Sequence, residues 1–197
     1  MTRTGGRGGA LIVVDMQNAF IDPARGAPVA GAAEVVRAVN ARIEDAVREG
    51  RPIFYTRDID PTGRAGKGGG HDERMHPDVS IRGTVVDKGP GHRGGFSGFV
   101  LASTALEGGN PGGGGLSRLA PLLHDAAVDE VEVVGVAADV CVASTAVDAV
   151  RLGYRATVDL DAAAFVHAHP RGDQAAIDDL RATGVHIDPK PPPRDRP

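Results

Sequence analysis

The chain has a single cysteine, Cys141, in the run VEVVGVAADVCVASTAVDAVRLGY (131–154). There a short β-branched stretch gives way to a segment of helical periodicity, which puts the thiol close to a helix start. A thiol is a nucleophile only as thiolate, and a free pKa near ~8.5 leaves little of that form at neutral pH. A helix N-terminus and a nearby ammonium both favour the anion. Lys88, in VVDKG, is the candidate cation. Asp15, in ALIVVDMQNAF, is a carboxylate able to take the thiol proton and return it to a leaving amine. Backbone N–H groups around Ala137 and Cys141 stand where the oxyanion of a tetrahedral intermediate would form. Each residue also has an ordinary structural explanation. A lone cysteine is often a small buried hydrophobe, an Asp after a strand a turn residue, and a Lys at a strand end a solvated one.

What favours chemistry is the placement of the elements. Short apolar runs at 11–14, 52–56, 84–86, 131–136, 155–160 and 185–187 read as strands. Between them, residues 32–49, 116–127, 141–152 and 173–182 show helical spacing, with Gly50 and Gly153 as stops. Alternating strands and helices imply right-handed crossovers and a parallel sheet covered on both faces. Ligands then bind beyond the carboxyl ends of the strands. Asp15, Asp58, Lys88 and Cys141 all follow strand ends, so one rim of the sheet would carry them.

Composition narrows the function further. At 197 residues, 41% hydrophobic and 24% charged, the chain suits one globular domain, 10–187, between a Gly-rich flexible N-terminus, 1–9, and a disordered Pro-rich tail, 188–197. The internal stretch 107–115 (EGGNPGGGG) reads as a flexible connection. A formal charge of −4 offers no basic patch for nucleic acid or anionic membrane, and 4% aromatics argue against a stacking surface. One cysteine excludes an internal disulfide framework, and no apolar run is long enough for a signal peptide or a membrane span. A cytoplasmic protein acting on a small molecule is expected, with exposed strand edges that would suit a homo-oligomer.

The segments ALIVVDMQNAF (10–20), VVDKG (85–89) with FSGF (96–99), and 131–154 resemble the isochorismatase-like cysteine hydrolases, and among them nicotinamidases, also called pyrazinamidases. The resemblance implies a three-layer α/β/α fold with a six-stranded parallel sheet. It makes Asp15 the proton carrier, Lys88 the charge partner and Cys141 the nucleophile. It also implies a cis peptide before Ala137, an oxyanion hole of the Ala137 and Cys141 N–H groups, and Phe20 as a wall of the substrate pocket. The reaction implied is hydrolysis of a small amide through a thioester.

The same family carries a divalent metal after the second strand. In this chain the corresponding residues are Asp58, Asp60 and, in the Gly-rich loop 61–75, His71. An Asp stands where the family pattern has His, and the loop lacks the family's Trp-Pro-x-His-Cys stretch. Two carboxylates and one imidazole could hold Zn²⁺, Fe²⁺ or Mn²⁺ with waters; a solvated loop with scattered polar residues is the alternative. Around the nucleophile, Ala138 and Val140 replace the family's Thr and a common His, and Ala19 stands in place of an acidic residue before Phe20. A remodelled pocket is implied, which admits a carbamoyl, a cyclic amide or a vinyl ether as substrate instead. The family's vinyl-ether-cleaving members do not use a nucleophilic cysteine, so that last option is the weaker one. A non-catalytic binding or redox-sensing relative is the reading from another class.

Overall fold

The computed structural model describes residues 8–26, 28–59, 72–91, 94–102 and 114–188. Its central strand, β1 (Gly8–Val14), is buried on both sides. Ala10, Ile12 and Val14 point into one apolar cluster, while Leu11 and Val13 point into the other. That two-sided burial explains a continuous apolar run where a half-exposed strand would alternate.

β1 pairs on one side with β2 (Ile53–Asp58), which pairs with β3 (Thr84–Lys88). On its other side lies β6 (Val128–Val136), followed by β7 (Arg155–Ala164) and β8 (His186–Asp188). All neighbours run parallel, in the order β3-β2-β1-β6-β7-β8, so the expected six-stranded parallel sheet is present. The strand order reverses between β1 and β6, the switch point at which open α/β sheets form their ligand crevice. One face is covered by α2 (Ala32–Glu49), through Val35, Val36, Val39 and Ile43. The other is covered by α3 (Leu119–Asp125), α4 (Ala143–Arg151) and α5 (Asp173–Ala182), through Leu119, Leu123, Ala146, Ala149 and Leu180. Among the described residues no helix is long and apolar enough to cross a membrane.

Several boundaries differ from the sequence reading. β1 begins at Gly8, because Gly8 and Gly9 continue the ladder opposite Val128 and Glu130. Asp188, assigned to the tail, closes β8. Residues 116–127 are not one helix. Leu116 ends a short strand, β5 (Gly114–Leu116), antiparallel to β4 (Val100–Ala102). α3 starts only after Ser117, whose hydroxyl accepts the Leu119 N–H (3.1 Å) and donates to the Gly98 carbonyl (2.6 Å). The helix expected over 141–152 opens as a π-helical turn over 138–142 before α4. A short helix, α1 (Asn18–Ile21), carries no apolar period of its own and was not expected. Of the stretch 107–115, only Gly114 and Gly115 fall within the described residues.

Gly135 fixes how closely β1 and β6 approach at the switch point. Its φ is 113°, and a Cβ there would lie 2.2 Å from the Val14 carbonyl oxygen. Gly153 also has a positive φ, 92°, but faces open space. Gly153→Ala should therefore cost only the left-handed backbone penalty, about 1–2 kcal/mol. Gly135→Ala adds a backbone clash and should cost at least about 3 kcal/mol. Denaturant unfolding of both variants checks this, and equal losses would contradict it.

Candidate functional site

Asp15 is the first residue past β1 and turns the chain sharply, with φ 51°. Its N–H reaches both the Thr56 carbonyl (3.2 Å) and the Thr56 hydroxyl (3.2 Å) on β2. The Thr56 hydroxyl in turn donates to Asp15 Oδ1 at 2.7 Å. Asp15 Oδ2 lies 2.8 Å from Lys88 Nζ and receives no hydrogen bond in good geometry. Both side chains are almost wholly buried, Lys88 at 0% and Asp15 at 1% exposure.

Lys88 ends β3, opposite Asp58 at the end of β2. Its ammonium lies 3.5 Å from Cys141 Sγ, 3.5 Å from Asp58 Oδ2 and 3.4 Å from the Gly95 carbonyl. The structure thus brings together Asp15, Lys88 and Cys141, from three separate strand ends. The π-helical turn that carries Cys141 is anchored twice. Thr145 donates to the Cys141 carbonyl (2.7 Å) while accepting the Gly98 N–H (2.8 Å). Asp139 accepts the N–H groups of Val166 (3.0 Å) and Ala168 (2.6 Å). The Val136–Ala137 peptide is cis, as the resemblance implied. The Ala137 carbonyl accepts the N–H groups of Val140 (3.1 Å) and Val142 (3.0 Å), which curls the chain around Cys141.

Burial and neighbouring charges shift three of these groups. Burial pushes the Cys141 thiol above its ordinary range, and the Asp15 carboxylate beside it pushes the same way; Lys88 opposes them without cancelling them. Burial works against the Lys88 ammonium, yet Asp15, Cys141 and Asp58 together hold its pKa above the usual lysine value. Asp58 is raised by burial and by Asp15, against the pull of Lys88. Both directions favour a Lys88 ammonium and disfavour a Cys141 thiolate.

Asp58 faces this group directly. Its carboxylate accepts the Gly91 N–H (3.2 Å to Oδ2), and a Cβ at Gly89 would lie 2.1 Å from Oδ1. Gln17, wholly buried, locks the strand end below it: its side chain accepts the Asp58 N–H (2.7 Å) and donates to the carbonyls of Asp58 (2.9 Å) and Glu73 (3.0 Å). Asp60 and His71, the other implied metal ligands, lie outside the described residues. Among the described residues no group of His, Cys, Asp and Glu could hold a metal ion. Of the three implied ligands only Asp58 lies within the described residues, with its Oδ2 3.5 Å from the Lys88 ammonium. Phe20 lies in α1, partly buried against the apolar cluster under α2.

Sequence reasoning missed Thr56, Gln17 and the Gly95 carbonyl. Thr56 and Gln17 each stand two residues from a flagged aspartate, Asp58 and Asp15. That spacing places them on the same rim and was the available signal. The Gly95 carbonyl left none, because a backbone oxygen has no residue type.

Comparison with known proteins gives relatives of the whole chain. A nicotinamidase/pyrazinamidase of Mycobacterium tuberculosis is 33% identical over 195 residues, spanning 90% of this chain and 97% of that one. The structure of a pyrazinamidase of Pyrococcus horikoshii in complex with zinc superposes with a TM-score of 0.70 at 26% identity, covering 92% of this chain and 99% of that one. An N-carbamoylsarcosine amidase from Thermoplasma acidophilum superposes with a TM-score of 0.65 at 28% identity, covering 94% and 98%. Residues 9–188 match the isochorismatase domain, and the chain belongs to that family of hydrolases.

Proposed function

We propose that the chain is a cysteine amidohydrolase that releases ammonia from a small amide through a thioester on Cys141. The observation that carries this reading is the buried contact of Lys88 with both Asp15, at 2.8 Å, and Cys141, at 3.5 Å. Because the resting thiol is protonated, attack needs a base at the moment the Sγ–C bond forms. Asp15 is the carboxylate that acts on the thiol, and Oδ2 is its oxygen beside the Lys88 ammonium, at 2.8 Å. The thiol proton passes to Oδ2, and the carbonyl oxygen becomes an oxyanion facing the Ala137 and Cys141 N–H groups. The C–N bond then breaks, and Asp15 returns the proton to the leaving nitrogen, so that ammonia departs and a thioester remains. Water attacks the thioester, Asp15 takes its proton, and the departing thiolate recovers that proton as the acid leaves. Lys88 stays an ammonium throughout and limits the cost of negative charge on sulfur. No step here passes through a metal.

Nicotinamide and pyrazinamide are the first substrates to try, because the Mycobacterium relative carries both in its name. A carbamoyl substrate is the second reading, favoured by the likeness to the N-carbamoylsarcosine amidase. A screen of small amides and N-carbamoyl amino acids for ammonia release, with and without added divalent metal, tests both. Turnover of at least one is expected, and Cys141→Ala should abolish it with the fold intact. A variant retaining a tenth of wild-type activity would remove Cys141 as nucleophile.

Asp15 and Lys88 should behave as one unit with the thiol. Asp15→Asn and Lys88→Met should each reduce kcat by about a thousandfold or more, and the double variant should be little worse than either. Losses that multiply in the double variant would show that the two residues act independently.

A further inference from the structure

Among the described residues Thr56 also contacts the Asp15 side chain, and it is 0% exposed. Its oxygen meets two groups of the same residue: the Asp15 N–H at 3.2 Å and Asp15 Oδ1 at 2.7 Å. An amide N–H can only donate, so the Thr56 oxygen is the acceptor in that contact. A hydroxyl has one proton to give, and Oδ1 is the acceptor within reach. An ionised carboxylate oxygen can only accept, so the hydroxyl gives its proton to Oδ1 while its oxygen accepts the Asp15 N–H. A buried hydroxyl has no water to substitute for either bond. Its side chain is also held from behind, since Gly98 packs so closely that a Cβ there would lie 2.9 Å from the Thr56 methyl.

We infer that Thr56 is a positioning residue that reserves Oδ1 of Asp15 as an acceptor and so confines the mobile proton to Oδ2, the oxygen beside Lys88. The inference deepens the amidohydrolase reading and rests on it. A carboxyl group protonated on the wrong oxygen would have its proton facing β2, away from the leaving nitrogen. Each turnover uses Asp15 four times, as acceptor and donor in acylation and again in deacylation. A carboxylate free to rotate, or free to store the proton on Oδ1, would slow all four transfers. Substrate binding would be little affected, because Thr56 lies behind Asp15 and not in the crevice.

The test compares Thr56→Val, which keeps shape and removes the hydroxyl, with Thr56→Ser, which keeps the hydroxyl. Thr56→Ala serves as a second hydroxyl-free variant should Val not fold. Two readouts are used: steady-state ammonia release, and the rate of iodoacetamide alkylation. The chain holds one cysteine, so mass spectrometry reports Cys141 alone. In alkylation the Sγ–C bond forms, iodide leaves and Asp15 takes the thiol proton, which isolates the proton transfer from any choice of substrate. Thr56→Val should lose about 10–100-fold in kcat with KM within about threefold, and about tenfold in alkylation rate at pH 7, as expected for loss of one charge-assisted hydrogen bond. Thr56→Ser should restore both to within about threefold of wild type. Wild-type rates in folded Thr56→Val or Thr56→Ala, or a Thr56→Ser variant as impaired as they are, would overturn the inference. Activity persisting in Cys141→Ala would instead overturn the amidohydrolase reading, so the two failures are distinguishable.

Discussion

A lysine with no solvent exposure must be paid for by carboxylates, and in this protein the 2.8 Å contact between Lys88 and Asp15 does that. Removing one partner of a buried ion pair typically costs about 3–5 kcal/mol, because the other is left charged and unsolvated. The surrounding structure is organised to keep the two together. Register places Lys88 opposite Asp58 on β2 and Thr56 beside Asp15, so three adjacent strands end within reach of one ammonium. Gly135 lets β6 close against β1 so that the turn bearing Cys141 can join them.

Burial and the neighbouring Asp15 carboxylate both work against a thiolate at Cys141, and the Lys88 ammonium opposes them. Moving the proton from Cys141 to Asp15 as the Sγ–C bond forms leaves the net charge of the group unchanged. A buried site can therefore generate a nucleophile without charging itself further, provided the transfer coincides with attack. A low resting thiolate population is then a consequence of the design and not an argument against catalysis.

Much of this was legible in the residues. The apolar runs located the strands, and their alternation with helical segments dictated a parallel sheet whose carboxyl rim had to carry Asp15, Asp58, Lys88 and Cys141. What escaped depends on geometry that periodicity does not encode. Leu116 looks like the start of a helix because Leu119, Leu122 and Leu123 follow at helical spacing, yet Ser117 caps α3 and frees Leu116 to pair with Val100. The π-helical turn around Cys141 is set by Thr145 and Asp139 anchoring it to loops distant in sequence. Thr56 looks like any β-branched strand residue until its hydroxyl is seen to bridge two atoms of Asp15. The implied metal set is legible only as residue types, since Asp60 and His71 fall outside the described residues.

The central claim is that Asp15 and Lys88 act on the Cys141 thiol with opposite sign. Thiolate absorbance near 240 nm, followed against pH, reads that directly in a chain with one cysteine. In the wild type the thiol should titrate above the ordinary thiol range. In Asp15→Asn, with folding verified by circular dichroism, the titration should move to lower pH, because the neighbouring negative charge is gone while the Lys88 ammonium remains. The variant would thus have a more acidic thiol and less activity. A titration that stays in place or moves to higher pH in Asp15→Asn would contradict the account.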